Sequence, residues 1–189
     1  MNIRIIPARP ADADFIACCV MEAIGEEICG DLARNNRTLD DVRRVFATLA
    51  AREDTQYSYR NTLVAVDEDG TQAGACVAYD GAGLEAMREH FFKAAKEILD
   101  LDLSGMDPEC EAGEFYLDTL AVSKSYRGQG IARALIKATA VRAAECGKKL
   151  GLLVEKENHN ARRLYDSVGF RQVGETPFAF VLMDHLQMD

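Results

Sequence analysis

A strand, a glycine-bearing turn and a helix succeed one another between residues 115 and 146, and this unit limits what the chain can become. β-Branched, aromatic and leucine residues run from Phe115 to Val122 with little to favour a helix, so that segment reads as a strand. Ile131, Ala134, Leu135, Ala138 and Val141 recur at helical spacing, and Cys146-Gly147 supplies a stop. Between them stands Arg127-Gly128-Gln129-Gly130. A helix start leaves backbone N–H groups unpaired at the positive end of the helix dipole. Glycines there present no Cβ to an approaching group, so the turn can seat a phosphate or pyrophosphate.

Composition narrows the classes. A chain of 189 residues can bury one sizeable core and is short for two. With 48% apolar and 28% charged residues it has the profile of a soluble globular domain. A net charge of −9 argues against nucleic acid as a partner, because replacing counterions takes clustered lysine and arginine. No apolar run is long enough for a membrane span, and the first residues lack a signal-peptide profile, so a cytoplasmic protein is expected. The six cysteines form no CxxC pair and no spacing to a histidine that suggests a metal; reduced, structural thiols are expected. His90, His159 and His185 are scattered and read as surface or capping residues.

Along the chain, a short strand at 3–6 precedes a helix opened by Pro10 and Asp12, with Ile16, Cys19, Val20, Ala23 and Ile24 on its apolar side and an end near Gly30. Glu22, Glu26 and Glu27 on that helix read as a solvated face. Thr38 and Asp41 form a capping box for a second helix with Val42, Val45, Phe46 and Leu49 inward. Strands at 61–67 and 72–79 flank an Asp69-Gly70 hairpin turn. A core-facing helix comes next over 84–99, with Arg88 breaking its apolar spacing. The segment 100–111 copies part of a calcium-binding loop, yet Glu114-Phe115-Tyr116-Leu117 reads as strand where an exiting helix is required, so it is taken as an acidic surface loop. A buried strand at 150–155, a helix from Asn158, and strands at 169–173 and 177–183 close one continuous domain over 1–189.

Three chemistries use a strand–glycine turn–helix. A nucleoside-triphosphate loop needs Gly-Lys-Ser or Gly-Lys-Thr, whereas Ile131-Ala132 come after Gly130. A dinucleotide fingerprint needs a third small residue where Arg133 stands. The third is the pyrophosphate grip of coenzyme A. Arg127-Gly128-Gln129-Gly130-Ile131-Ala132, together with Asn158, Ala161, Leu164-Tyr165 and Gly169-Phe170, resembles the GNAT superfamily of N-acetyltransferases. The resemblance is specific in the C-terminal half and topological in the N-terminal half.

The resemblance implies an α/β (α+β) fold: a mixed, mostly antiparallel sheet with a splayed parallel strand pair, flanked by helices. It implies acetyl-CoA as cosubstrate, no metal, and direct acetyl transfer to a primary amine of a small molecule, an amino-acid derivative or a protein. The backbone of Leu120, Ala121 and Val122 would bind the pantetheine arm as an added strand. The amides of Arg127, Gly128, Gln129, Gly130, Ile131 and Ala132 would hold the pyrophosphate. Asn158 matches a position that bonds the pantetheine, although a helix cap explains it equally. Tyr165 matches the position that protonates the leaving thiolate.

No base carries over from the family. Period-two alternation places Glu114, Tyr116, Asp118 and Leu120 on one face and Phe115, Leu117 and Thr119 on the other. Asp118, an acid in an apolar strand, is the first candidate for base or amine anchor, with Glu114 and Glu155 behind it; a structural aspartate bonded by backbone explains the position as well. Residues 84–113 form an insertion before the central strand that covers the acceptor side. A non-catalytic acyl-CoA-binding module of the same fold is the alternative, and a homodimer through the C-terminal strands is compatible with the sequence.

Overall fold

The structure is a computed structural model and describes residues 2–178 and 181–188. Seven strands form one sheet: β1 (Arg4–Pro7), β2 (Thr62–Val66), β3 (Gln72–Asp80), β4 (Glu114–Val122), β5 (Lys149–Val154), β6 (Phe170–Phe178) and β7 (Val181–Met188), in the order β1-β2-β3-β4-β5-β7-β6. Every neighbouring pair is antiparallel except β4 and β5. The mixed sheet and its lone parallel pair are those the sequence implied.

Helices α1 (Ala13–Leu32), α2 (Leu39–Ala50) and α3 (Leu84–Ala94) cover one face. Their inward residues Ile16, Val20, Val45, Phe46 and Phe91 pack against Ala75, Val77, Tyr79 and Tyr116 of the sheet. Helix α4 (Ile131–Glu145) covers the other face, placing Ile131, Leu135 and Ile136 on Ala65, Cys76, Phe115 and Leu117. Helix α5 (His159–Val168) packs its Ala161, Leu164 and Tyr165 against that same second core.

The boundaries differ from the sequence reading in three places. Helix α1 continues past Gly30 to Leu32, kinked at Gly25. The helix expected over 84–99 changes at Ala95 into one wider turn, Ala95–Leu99, which ends at a left-handed Asp100. At the C-terminus, Pro177 and Phe178 belong to β6, and β7 begins at Val181. The expected strand at 177–183 therefore straddles a hairpin whose connection, Ala179 and Phe180, lies outside the described residues.

The alternation expected along β4 also fails at one point. Val77 pairs with Thr119 and Ala78 with Leu117, which leaves Asp118 as an extra residue in the strand. A bulge of this kind resets which side chains face which way. Tyr116 and Ala121 consequently face the α1–α3 core, while Phe115, Leu117, Leu120 and Val122 all face α4. Leu120 is on the face opposite to that expected.

The segment 100–113 runs from the wide turn into β4, with no exiting helix. Asp100 pairs with Lys96 at 2.8 Å, and Asp102 accepts from the Ser104 amide at 3.0 Å, so local cations and amides engage these carboxylates. Among the described residues no helix is long and apolar enough to cross a membrane. Leu135 is fully buried between α4 and the sheet. Leu135→Ala is expected to remove about 2–5 kcal/mol of stability, measured as a lowered urea midpoint with an unchanged slope.

Candidate active site

The parallel pair β4 and β5 is joined over Glu114–Lys149, Phe115–Leu150 and Tyr116–Gly151 alone, after which the strands part. From Leu117 onward β4 keeps β3 as its partner and has no strand on the β5 side. This leaves the β5-side main-chain groups along Leu120, Ala121 and Val122 without a strand partner, the Val122 carbonyl accepting instead from the Arg127 guanidinium, so an extended ligand can lie along the edge.

Beyond the end of β4 the chain makes a short turn over Lys124–Tyr126 and reaches α4 through Gly128 (φ 76°) and Gly130 (φ 79°). Both φ values lie in the left-handed region, and a Cβ at either glycine would meet nothing within 4 Å, so the space over the turn is open. Gly130 is the N-cap without a side-chain cap bond, and no acid stands in the first turn of α4. The amides of Ile131, Ala132 and Arg133 have no partner within the helix. The donor set suits an anion. The Arg127 amide, by contrast, makes a long 3.4 Å bond to the Lys124 carbonyl. The Arg127 guanidinium donates to Val122 O at 3.0 Å and to Glu22 Oε1 at 2.5 Å, tying the turn to α1. Glu22 is thus an exposed partner of the turn, on the face that the sequence reads as solvated. Gln129 is exposed.

Asn158 Oδ1 accepts from the Ala161 amide at 3.1 Å, which makes Asn158 the cap of α5. Tyr165, further along α5, is half-buried with its ring 5.5 Å from that of Phe170. Burial raises its phenol above the ordinary range, so the hydroxyl keeps its proton and can donate. Tyr165 belongs to the α4 side of the sheet, whereas the partners of Asp118 belong to the α1–α3 side. The two approach the gap between β4 and β5 from opposite faces.

Asp118 occupies the bulge. Its Oδ1 accepts from Thr119 Oγ1 at 2.8 Å, and its Oδ2 lies 2.9 Å from the Tyr79 hydroxyl. Burial, reinforced by the Glu109 carboxylate, pushes its pKa up to about 7. Glu114 is 5% exposed and lies over Gly151, where a Cβ would come within 1.8 Å of its Oε2. The same oxygen meets His185 Nε2 at 2.9 Å and accepts from Gln187 Nε2 at 3.1 Å. A cavity of about 500 Å³ opens beside this cluster. Asp107, Glu109, Glu111 and Glu114 line it with Leu153, Thr176, His185 and Gln187, and no lysine or arginine does. Glu155 is exposed beyond the end of β5 and does not line it.

Comparison with known proteins matches this geometry. The family model described as "Acetyltransferase (GNAT) family" matches residues 33–170. The chain belongs to the GNAT acetyltransferase family. A probable spermine N(1)-acetyltransferase from Bacillus subtilis subsp. natto is 30% identical to this GNAT chain over 107 residues, 50% of this chain and 70% of the relative. Among solved structures, one described as an acetyltransferase superposes with a TM-score of 0.78 at 27% identity, covering 98% of both chains. An N-acetyltransferase from Staphylococcus aureus Mu50 gives 0.76 at 25%, covering 98% of this chain and 100% of the other. This GNAT protein is accordingly an acyltransferase of the N-acetyltransferase kind.

Four residues bonded around Asp118 and Glu114 escaped the sequence reading: Tyr79, Glu109, His185 and Gln187. His185 is a cavity residue bonded to Glu114, not the surface or capping residue expected. With β7 placed from Val181, alternation puts His185 and Gln187 on one face, so a correct strand boundary would have revealed both. Nothing in the sequence marks Tyr79 or Glu109.

Because Asp118 has its pKa raised from the ordinary 3.8 to about 7, the folded chain holds a proton that the unfolded chain has released between those values. Its contribution to stability therefore falls as pH rises through that window. Asp118→Asn is expected to raise the melting temperature more at pH 8 than at pH 5; an equal change at both would contradict it. Gly151→Ala is expected to displace the Glu114 carboxylate, weakening acceptor binding as Glu114→Gln does, whereas additive losses in the double variant would separate the two positions.

Proposed function

We propose that this enzyme transfers the acetyl group of acetyl-CoA to a primary amine that arrives as a cation. The acidic cavity beside β4 carries this reading. Four carboxylates without a lining lysine or arginine make a field that concentrates a positively charged acceptor. The spermine acetyltransferase relative supports an amine acceptor.

Acetyl-CoA brings an acyl group activated as a thioester, and the chain does the rest. The turn from Arg127 to Ala132 and the start of α4 are the proposed pyrophosphate seat, with the β5-side edge of Leu120, Ala121 and Val122 as the pantetheine rail. Asn158, while capping α5 through Oδ1, keeps its amide hydrogens for the same arm. Asp118 takes a proton from the ammonium so that its lone pair can attack, and Tyr165 gives a proton to the departing thiolate. Glu114, oriented by His185 and Gln187, anchors the acceptor's charge. The reaction, R–NH3+ plus acetyl-CoA giving R–NHCOCH3, CoA thiol and H+, releases one proton net. Residues 1–189 are read as one domain in which 84–113 wall the acceptor side. A homodimer through the C-terminal strands is part of the same proposal, on the exposed Val173, Val181 and Leu182 of β6 and β7.

Thiol release from acetyl-CoA with mono- and polycationic primary amines tests the proposal. KM for the cationic acceptors is expected to rise with salt, and Tyr165→Phe to lower kcat by about 10²-fold with acetyl-CoA affinity unchanged. Acetyl-CoA binding without transfer to any amine, together with a silent Tyr165→Phe, would make the protein a non-catalytic acyl-CoA-binding module. No binding at all would overturn both.

A further inference from the structure

The Tyr79 hydroxyl stands between two carboxylates, 2.9 Å from Asp118 Oδ2 and 3.0 Å from Glu109 Oε1. A phenol has one hydrogen and can donate to one of them. The other short contact is satisfied only when that carboxyl itself carries a proton and donates to the phenol oxygen. With both contacts satisfied the three oxygens hold two hydrogens in one of two forms. In one, Asp118 is protonated and Tyr79 donates to Glu109. In the other, Glu109 is protonated and Tyr79 donates to Asp118. With one hydrogen lost both carboxyls are ionised, and Asp118 can take a proton.

The ends of this chain differ in their surroundings. Asp118 is half-buried in the strand bulge and does not line the acidic cavity. Glu109, 7% exposed, lines the open cavity, so a proton on it can leave there. Tyr79, 2% exposed, is the link.

We infer that Tyr79 and Glu109 form the exit route for the proton that Asp118 takes from the acceptor amine. The inference rests on Asp118 being the base in the proposed reaction. In the transfer, Asp118 O–H breaks as a new Tyr79 O–H forms, while the original Tyr79 O–H breaks and Glu109 O–H forms. Tyr79 ends unchanged, Asp118 is again a carboxylate, and Glu109 gives its proton to cavity water.

The surrounding charges make Glu109 the more readily ionised end, so the step onto it is the uphill one and release from it to water is favoured. Burial raises both carboxyls, and the Glu109 carboxylate adds to the rise at Asp118. Arg88 on α3 helps keep Glu109 ionised, opposed weakly by exposed Glu85 on the same helix. Arg88 is 4% exposed, and its Nε and one terminal nitrogen have no hydrogen-bond partner among the described residues. Its guanidinium rests 4.8 Å over the Phe92 ring, and its other terminal nitrogen donates to the Met106 carbonyl. It is a buried cation held by the fold near Glu109, its ion pair being a 3.6 Å contact with exposed Glu85. The buried phenols of Tyr57 and Tyr116 and the Cys110 thiol are held neutral by desolvation, so they do not compete for the proton.

The test compares Tyr79→Phe and Glu109→Gln with Asp118→Asn. Tyr79→Phe is expected to lower kcat about 10²-fold in dilute buffer and to leave acetyl-CoA affinity unchanged. Raising the concentration of a small base such as imidazole is expected to restore kcat in Tyr79→Phe and Glu109→Gln but not in Asp118→Asn. A merely structural role for Tyr79 would not respond to buffer. In the free protein, infrared spectra in D2O are expected to show a carboxyl that stays protonated to near-neutral pH, is lost in Asp118→Asn, and titrates lower in Glu109→Gln. Full kcat in Tyr79→Phe and Glu109→Gln, or a loss that buffer does not restore, would overturn the relay. Full kcat in Asp118→Asn would instead overturn Asp118 as the base, whatever the other variants do.

Discussion

One additional residue in β4 governs the geometry on both sides of the sheet. Had β4 kept its alternation, Asp118 would continue the row of Glu114 and Tyr116, and Leu120 would join it on the α1–α3 side. The pairing of Val77 with Thr119 and of Ala78 with Leu117 sets Asp118 apart and returns Leu120 and Val122 to the α4 side. The bulge places a carboxyl beside Tyr79 while apolar side chains on either side of it stay in their cores. It falls just beyond the last residue at which β4 and β5 still pair, Tyr116 opposite Gly151. The point where the strands part and the point where an acid is presented therefore nearly coincide.

That coincidence explains the electrostatic layout. A carboxylate in an apolar strand is costly unless something bonds it, and Thr119 and Tyr79 bond Asp118. Both are neutral donors, so Asp118 is satisfied without being fixed in its charged form. Glu114 has different company: the absent side chain at Gly151 gives it room, and His185 and Gln187 orient it. Two acids on one strand thus have separate environments, Asp118 between two neutral hydroxyl donors and Glu114 held by His185 and Gln187.

Much of the fold was legible because its signals are local. Thr38 and Asp41 cap α2 as read, Asp69-Gly70 turns the β2–β3 hairpin, and Gly128 and Gly130 adopt the positive φ that their residue type allows. The pairing of the turn at 127–130 with Asn158 to Phe170 led to the family. What could not be read depends on pairing between distant segments. The bulge exists only in the register of β3 against β4, and Tyr79 meets Glu109 across 30 residues of sequence. Arg88 looked like an error in an apolar stripe, and its burial is intelligible only once Phe92 and the Met106 carbonyl are in place. The C-terminal strands were misread because an unbroken apolar run joins the end of β6 to the start of β7, and His185 was lost with them.

The two halves of the site are made of different material. On the α4 side the groups at the turn are main-chain amides and glycines, and every residue type except proline brings the same N–H. On the cavity side the groups are side chains on the segment before β4 and on β7. Sequence drift in the first half changes little so long as the backbone keeps its path. A single substitution in the second exchanges a charge for something else. A chain built this way can change its acceptor over generations while the acyl donor stays the same, with substrate choice and donor use inherited as separate traits.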